Sequence, residues 1–248
     1  MTVNSEKDLM GLLRIGRVVG MTLQKMRAAL RPGITTAELD HIGAEYLRQH
    51  GARSAPILTY NFPGATCISL NNEAAHGIPG SRVIQIGDLV NIDVSAELDG
   101  YYADTGASFP MPPVKPEYQR LLDHTRAALD VAIAAARAGE KLNNIGRAVE
   151  TFARKGGYKV IQDLPGHGVG RKLHEPPTVP NFYVPTLKTR LTEGMVITLE
   201  PFLSMSANRV VQQPDGWTLK TEDGSMAAQY EHTVIITRGR PLLTTLVS

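Results

Sequence analysis

The sequence predicts an α+β fold, a duplicated helix-strand unit with a pseudo-twofold axis and a central antiparallel sheet. Three observations predict it. Arg31, Gly33 and Gly51 recur as Arg137, Gly139 and Gly157, each pair separated by 106 positions. The run Gly87-Asp88-Leu89-Val90-Asn91-Ile92-Asp93 has a counterpart 107 positions on in Gly194-Met195-Val196-Ile197-Thr198-Leu199-Glu200, and each ends on a carboxylate. Each run also follows a His-x-x-Pro, His76 to Pro79 in one half and His174 to Pro177 in the other. The halves span about 5–110 and 117–240 of one catalytic domain covering 1–248.

The elements follow in order. Ser5 with Asp8, and Thr35 with Glu38, have the spacing of capping boxes that open helices. The first helix runs from about Lys7 to Leu30, with Leu9, Leu12, Leu13, Ile15, Val18, Val19 and Leu23 on its apolar side, and Arg31-Pro32-Gly33 stops it. The second carries Leu39, Ile42, Tyr46 and Leu47 and ends at Gly51. Beyond the Pro-rich junction 110–116 a long helix from about Glu117 to Ala136 precedes a shorter one with Ile145, Val149 and Phe152 that ends at Gly156-Gly157. Val90–Ala96 and Tyr101–Phe109 alternate as strands around Asp99-Gly100, a strong two-residue hairpin turn. That turn sets Ser95 opposite Asp104, so Asp93 and Asp104 become diagonal neighbours on one face, with backbones roughly 7–8 Å apart. Two carboxylates aimed together repel unless a cation or a shared proton lies between them.

Composition narrows the function classes. With 248 residues, 42% hydrophobic and 20% charged, the chain can bury a full core. No stretch approaches the roughly 18–20 apolar residues of a membrane span, and the N-terminal residues lack a basic region followed by an apolar one, so a cytoplasmic location without membrane is expected. Cys67 is the sole cysteine, which leaves any metal to oxygen and nitrogen ligands. A net charge of +2 argues for no specific nucleic acid, and the basic pair Arg171-Lys172 is expected on a solvated surface.

Asp104-Thr105-Gly106 matches the aspartic-protease triplet, but no second Asp-Thr-Gly occurs, and a homodimer supplying one would leave Asp93, His167, Glu200 and Glu231 without a role. Gly166-His167-Gly168-Val169-Gly170 is not a nucleotide loop, since no Gly-Lys-Ser/Thr follows; its glycines let the backbone bring His167 close to something. Glu200 follows an apolar run and Glu231 sits beside the strand-like 232–237, so both acids are expected inside. Three or four acidic oxygens with one imidazole nitrogen suit a pair of hard or borderline divalent ions about 3.5–4 Å apart, which generate a hydroxide at neutral pH.

His76-Gly77-Ile78-Pro79, Val90-Asn91-Ile92-Asp93, Tyr102-Ala103-Asp104-Thr105, Gly166-His167-Gly168, Leu173-His174-Glu175-Pro176-Pro177, Thr198-Leu199-Glu200-Pro201 and Gln229-Tyr230-Glu231-His232-Thr233 resemble, in order, the motifs of type I methionine aminopeptidases of peptidase family M24. The resemblance implies a pita-bread (creatinase/aminopeptidase) fold and a dinuclear metallo-exopeptidase that removes initiator methionine when the second residue is small. It implies Asp93, Asp104, His167, Glu200 and Glu231 as ligands of two divalent ions (Co, Mn, Fe or Zn), with Asp104 and Glu231 bridging. Glu200 would double as general base, and His76 and His174 would face the substrate. Implied partners are nascent polypeptide N-termini near the ribosome, met by a monomer. Only 26 positions separate His174 from Glu200, which leaves no room for the helical insertion of type II enzymes and suggests the short bacterial form.

Departures from the family pattern touch the pocket. Tyr60-Asn61-Phe62-Pro63 has one residue between the aromatics where relatives commonly have two, Leu173 stands where Phe or Met is common, and Asn72 stands where Glu is frequent. The candidate methionine pocket is therefore Tyr60, Phe62, Cys67, Leu173 and Trp217. An Xaa-Pro peptidase of the same fold and a catalytically silent binding module are the competing readings.

Overall fold

Local capping opens both long elements of the first half. Ser5 Oγ accepts the Asp8 amide at the start of α1 (Glu6–Ala29), and Thr35 and Glu38 form the reciprocal capping box of α2 (Thr36–Gln49). The structure, a computed structural model, describes residues 1–247. A short α3 (Ala55–Tyr60) follows, with no periodicity long enough to announce it in the sequence; Ser54 caps it and Asn61 ends it in the left-handed region at φ 55°. In the second half α4 (Pro116–Ala135) starts on a proline whose missing N–H costs nothing in the first turn, and α5 (Asn143–Lys155) ends at Gly156.

The predicted hairpin forms with the predicted register. Strands Leu89–Leu98 and Tyr101–Pro110 pair antiparallel, with Ser95 opposite Asp104 and Asp93 opposite Gly106. Asp99 and Gly100 both take positive φ, 53° and 80°, the primed turn that matches strand twist. Strands Cys67–Leu70 and Arg53–Ser54 pair with the other edge of Leu89–Leu98. The second half builds an antiparallel sheet in the spatial order Leu242–Leu243, His232–Ile235, Val196–Leu199, Gly166–Gly168, Glu175–Val179.

The halves meet where Tyr101–Pro110 runs beside residues 229–235. Asp104 N donates to Thr233 Oγ1 at 2.9 Å, and the same hydroxyl donates to Asp104 O at 2.8 Å. Thr105 Oγ1 donates to Glu231 O, and Glu231 N donates to Gly106 O, each at 2.8 Å. Ala107 and Tyr230 complete the seam as an isolated bridge. Asp104 and Glu231 thereby come from different halves onto adjacent backbone.

Each half has its own apolar core. Leu12, Ile15 and Val19 of α1 pack with Leu39, Ile68, Ile92 and Val94. Leu121, Leu129 and Ile133 of α4 pack with Ile145, Val149, Ile197 and Val234. Beside the seam and the N-terminal bonds to Glu175 and Gly194, two further long-range ties join them. Arg171 is on the surface, as expected, but is also bonded: its guanidinium lies 3.9 Å over the Tyr101 ring and donates to Asp8 Oδ1 at 2.6 Å, Tyr101 Oη at 2.9 Å and Gly100 O at 3.2 Å. The loop that carries Leu173 and His174 is thus pinned to the first half by a fork that lysine could not reproduce. Lys172 remains exposed.

The second tie is the C-terminal segment. Gly16 and Gly20 are buried on α1 because the carbonyls of Thr244 and Thr245 occupy the space a Cβ would need. Thr244 cannot easily withdraw, since its amide donates to Thr233 O at 3.0 Å, next to the seam. Gly16→Ala therefore sets a helix-propensity gain of about 1 kcal/mol against an overpacking cost of about 1–3 kcal/mol. The clash wins: we expect a net loss of stability and a melting temperature lower by about 2–4 °C per kcal/mol lost, read by thermal unfolding. An unchanged or higher value would show that the tail yields freely.

Candidate metal centre and substrate cleft

Every sequence-predicted site residue except Glu231 lines one cleft of about 730 Å³, and Glu231 lies directly beneath its floor. Strands supply the floor. Asp93 and Asp104 come from the first hairpin, His167 from Gly166–Gly168, and Glu200 and Glu231 from the ends of Val196–Leu199 and its partner strand. Ligand atoms of Asp104, His167 and Glu231 lie within 4.8 Å of one another. His167 Nε2 is 3.4 Å from Glu200 Oε1 and 3.8 Å from Asp104 Oδ2, while Asp93 reaches hydrogen-bonding range of Asp104.

Neighbours orient these groups. His167 Nδ1 donates to Gly168 O at 3.0 Å, so the neutral ring presents an Nε2 lone pair to the acids. Thr198 Oγ1 accepts the His167 amide at 2.9 Å and donates to Glu200 Oε1 at 2.6 Å, fixing both with one hydroxyl. Gln229 is fully buried; it donates to Glu231 Oε2 at 2.9 Å and accepts from Asn91 Nδ2 at 2.8 Å. Gly106 is required beneath it, because a Cβ there would strike the Gln229 amide. Sequence reasoning missed these supports. The one available signal was a polar residue inside an otherwise apolar run, as at Thr198 and Asn91.

The acids are too crowded to be charged together without a cation or shared protons among them. Burial pushes the Asp93 carboxyl up to about 6. Burial, followed by the charges of Asp93 and Glu200, holds Asp104 well above the usual carboxylate range. Glu231 is raised by burial and then by Asp104, Glu200 and Asp93, and Glu200 by burial and Asp93 against the lowering effect of Thr198. Burial lowers His167 to about 3, so it is neutral and free to ligate. Asp104 Oδ1 and Glu231 Oε1 are buried with no hydrogen-bond partner. Unpaired buried carboxylate oxygens are costly, and four carboxylates with one imidazole fit hard or borderline divalent ions.

The cleft walls divide into an imidazole side and an apolar side. His76 adopts a left-handed backbone, φ 56°, which turns its ring into the cleft; Gly77 follows because Ile68 O occupies its Cβ position. His174 faces it from the loop pinned by Arg171. Desolvation by the walls lowers the pKa of both, and His76 lowers that of His174 further. Cys67, Phe62 and Leu173 are buried, and Phe62 meets Trp217 edge-on at 5.2 Å. Tyr60 lines the cleft but is 46% exposed, and its hydroxyl lies 2.5 Å from His174 Nδ1, so it stands at the rim rather than deep in the pocket.

An acidic floor with one ligating imidazole, below an apolar slot, is the equipment of a metal-dependent hydrolase. The profile of metallopeptidase family M24 matches residues 11–238, and the chain belongs to that family. It is 49% identical over 249 residues to the methionine aminopeptidase of Staphylococcus epidermidis, covering 100% of this chain and 99% of the relative. It is 46% identical to methionine aminopeptidase 2 of Bacillus subtilis, covering 99% of each. The crystal structure of methionine aminopeptidase from Rickettsia prowazekii superposes with a TM-score of 0.94 at 35% identity, covering 99% of this chain and 100% of that one. The fold is the pita-bread fold expected from the motifs. Among the described residues no helix is long and apolar enough to cross a membrane.

The floor makes a prediction about stability. Asp104→Asn removes one of four crowded acids and supplies an amide donor to its neighbours, so with chelator present the variant should melt above wild type. Added divalent metal should raise the wild-type melting temperature, by about 3–4 kcal/mol of linkage at a few hundred times Kd, and raise that of the variant far less. A variant that melts below wild type in chelator, measured by differential scanning fluorimetry, would contradict the crowding.

Proposed function

We propose that the chain removes the N-terminal methionine from nascent proteins and peptides whose second residue is small. The observation that carries this reading is an acidic, histidine-containing floor directly beside a buried apolar slot, in a chain that matches methionine aminopeptidases from end to end. We further propose that both halves act as one catalytic unit, since each contributes ligand-type residues to the floor. Asp93, Asp104, His167, Glu200 and Glu231 would hold two divalent ions. Asp104 and Glu231, each with an unpartnered oxygen, would be the shared ligands. Such ions supply a hydroxide nucleophile at neutral pH and Lewis acidity at the attacked carbonyl.

The chain's own groups do the rest. Glu200, held at one oxygen by Thr198, is placed to take and return a proton at its other oxygen. His76 and His174 are neutral and open to the cleft, so each can donate an N–H to an oxygen that gains charge. Cys67, Phe62, Leu173 and Trp217 offer an unbranched thioether a slot without a charged group.

Two expected outcomes test this reading. His76→Ala should retain metal near the wild-type content by elemental analysis while kcat falls by about 2–4 kcal/mol of barrier; loss of metal would place His76 among the ligands instead. On a peptide panel, Met-Gly, Met-Ala and Met-Ser should be cut, with Met-Lys, Met-Leu and Leu-Gly slower by about tens to hundreds of fold. Fastest hydrolysis of Xaa-Pro peptides lacking methionine would leave the fold and floor intact and overturn the methionine assignment.

A further inference from the structure

The shortened aromatic spacing separates two jobs. α3 ends at Tyr60, Asn61 turns the chain through the left-handed region, and Phe62 drops into the slot at 4% exposure. Tyr60 is left on the outer side of that turn, and from there it crosses the cleft. Its hydroxyl meets His174 Nδ1 at 2.5 Å, and the two rings are tilted with centroids 5.5 Å apart. Tyr60 belongs to the first half and His174 to the second, 114 positions on. Among the described residues, this is the hydrogen bond found for either side chain.

From this contact we propose that Tyr60 is a positioning residue that makes His174 an Nε2–H donor toward the substrate. The inference rests on the peptidase reading above and deepens it. A phenol is a good donor and a poor acceptor, because its lone pair is drawn into the ring, whereas an unprotonated imidazole nitrogen is a strong acceptor. The short contact is therefore Tyr60 O–H donating to Nδ1. At neutral pH a phenol keeps its proton, so the hydroxyl has one to give across the 2.5 Å contact. A neutral imidazole that accepts at Nδ1 carries its single proton on Nε2. That proton is the one His174 can offer to a carbonyl oxygen as it gains charge.

The same bond holds the ring against rotation. His174 is exposed on the cleft side and its ring lies 4.2 Å from that of His167; Arg171 and Glu175 anchor the loop backbone on either side of it, but only Tyr60 bonds the ring itself among the described residues. Without Tyr60 the imidazole is free to flip and to present either nitrogen. Tyr60→Phe keeps the aromatic surface and removes only the hydroxyl, so pocket filling is preserved.

The test uses the full-length protein loaded with zinc, labelled with 15N at histidine, with His174→Gln to assign the resonance. In wild type His174 should show a protonated Nε2 and an unprotonated, hydrogen-bonded Nδ1. In Tyr60→Phe the hydrogen-bond shift at Nδ1 should vanish. On Met-Ala-Ser the same variant should lose about three- to tenfold in kcat, the rate equivalent of one neutral hydrogen bond, with KM within about twofold and metal content unchanged. The double variant Tyr60→Phe, His174→Gln should be no slower than His174→Gln alone. A protonated Nδ1 in wild type, an Nδ1 signal indifferent to Tyr60→Phe, or an unchanged kcat would each overturn the proposal. If the panel showed a different peptide preference, the function reading would fail, while the nitrogen resonances would still decide the tautomer.

Discussion

Four carboxylates held within reach of one another below a cleft are the constraint on which the rest of the structure depends. Left to themselves, acids so placed would separate or draw in water. Here they cannot, because each is tied to backbone that has no freedom to move. Asp93 and Asp104 stand on a fully paired hairpin, and Glu231 sits where the two halves exchange hydroxyl and amide hydrogen bonds through Thr105, Thr233 and Gly106. The halves, each with its own core, are thus clamped at the point of greatest repulsion. Such an arrangement is costly alone and favourable around cations, so a bound divalent ion would stabilise the fold.

The residues behind the acids fix which way their oxygens point. Gln229 and Thr198 each cap one oxygen of a glutamate and leave the other unpartnered or free to act. The amide of Gln229 is itself fixed by Asn91 from the other half. The imidazoles follow the same logic. His167 gives its Nδ1 proton to a carbonyl and so offers a lone pair to the floor, whereas His174 meets a hydroxyl at Nδ1. Two histidines with centroids 4.2 Å apart thereby differ in what they bond at Nδ1, a carbonyl in one and a phenol in the other, which suits the ligand and donor roles proposed for them.

Much of this was legible in the sequence, wherever a local rule decides the outcome. The capping box at Thr35, the simpler cap at Ser5, where Asp8 reaches back to the Asn4 amide instead, and the Asp99-Gly100 turn need only their neighbours, and the turn alone sets Ser95 against Asp104. Convergence of the acids could be inferred because their spacing repeats between halves. What could not be read depends on contacts between distant residues with no pattern of their own. Arg171 looks like any exposed arginine until Asp8 and Tyr101 are brought beneath it. Gly16 and Gly20 read as weak points in a helix until Thr244 and Thr245 lie against them. Tyr60 reads as pocket lining, and nothing in a six-residue helix signals that its hydroxyl crosses to the opposite half.

The division between strand floor and loop rim explains where variation can be absorbed. The proposed ligands stand on or at the ends of strands whose register is fixed along both edges, so a one-residue slip would turn Asp93 or Asp104 away from the centre. The residues proposed to face the substrate stand instead on bends. His76 sits at a left-handed position, Tyr60 and Phe62 flank left-handed Asn61, and Leu173 and His174 lie in the loop pinned by Arg171. A bend can gain or lose a residue and still present a side chain to the cleft. Two of the three departures from the family pattern, one residue fewer between Tyr60 and Phe62 and leucine at 173, fall on these bends. On the proposed function they would alter the grip on a substrate's first residue, while the acids beneath stand on other elements.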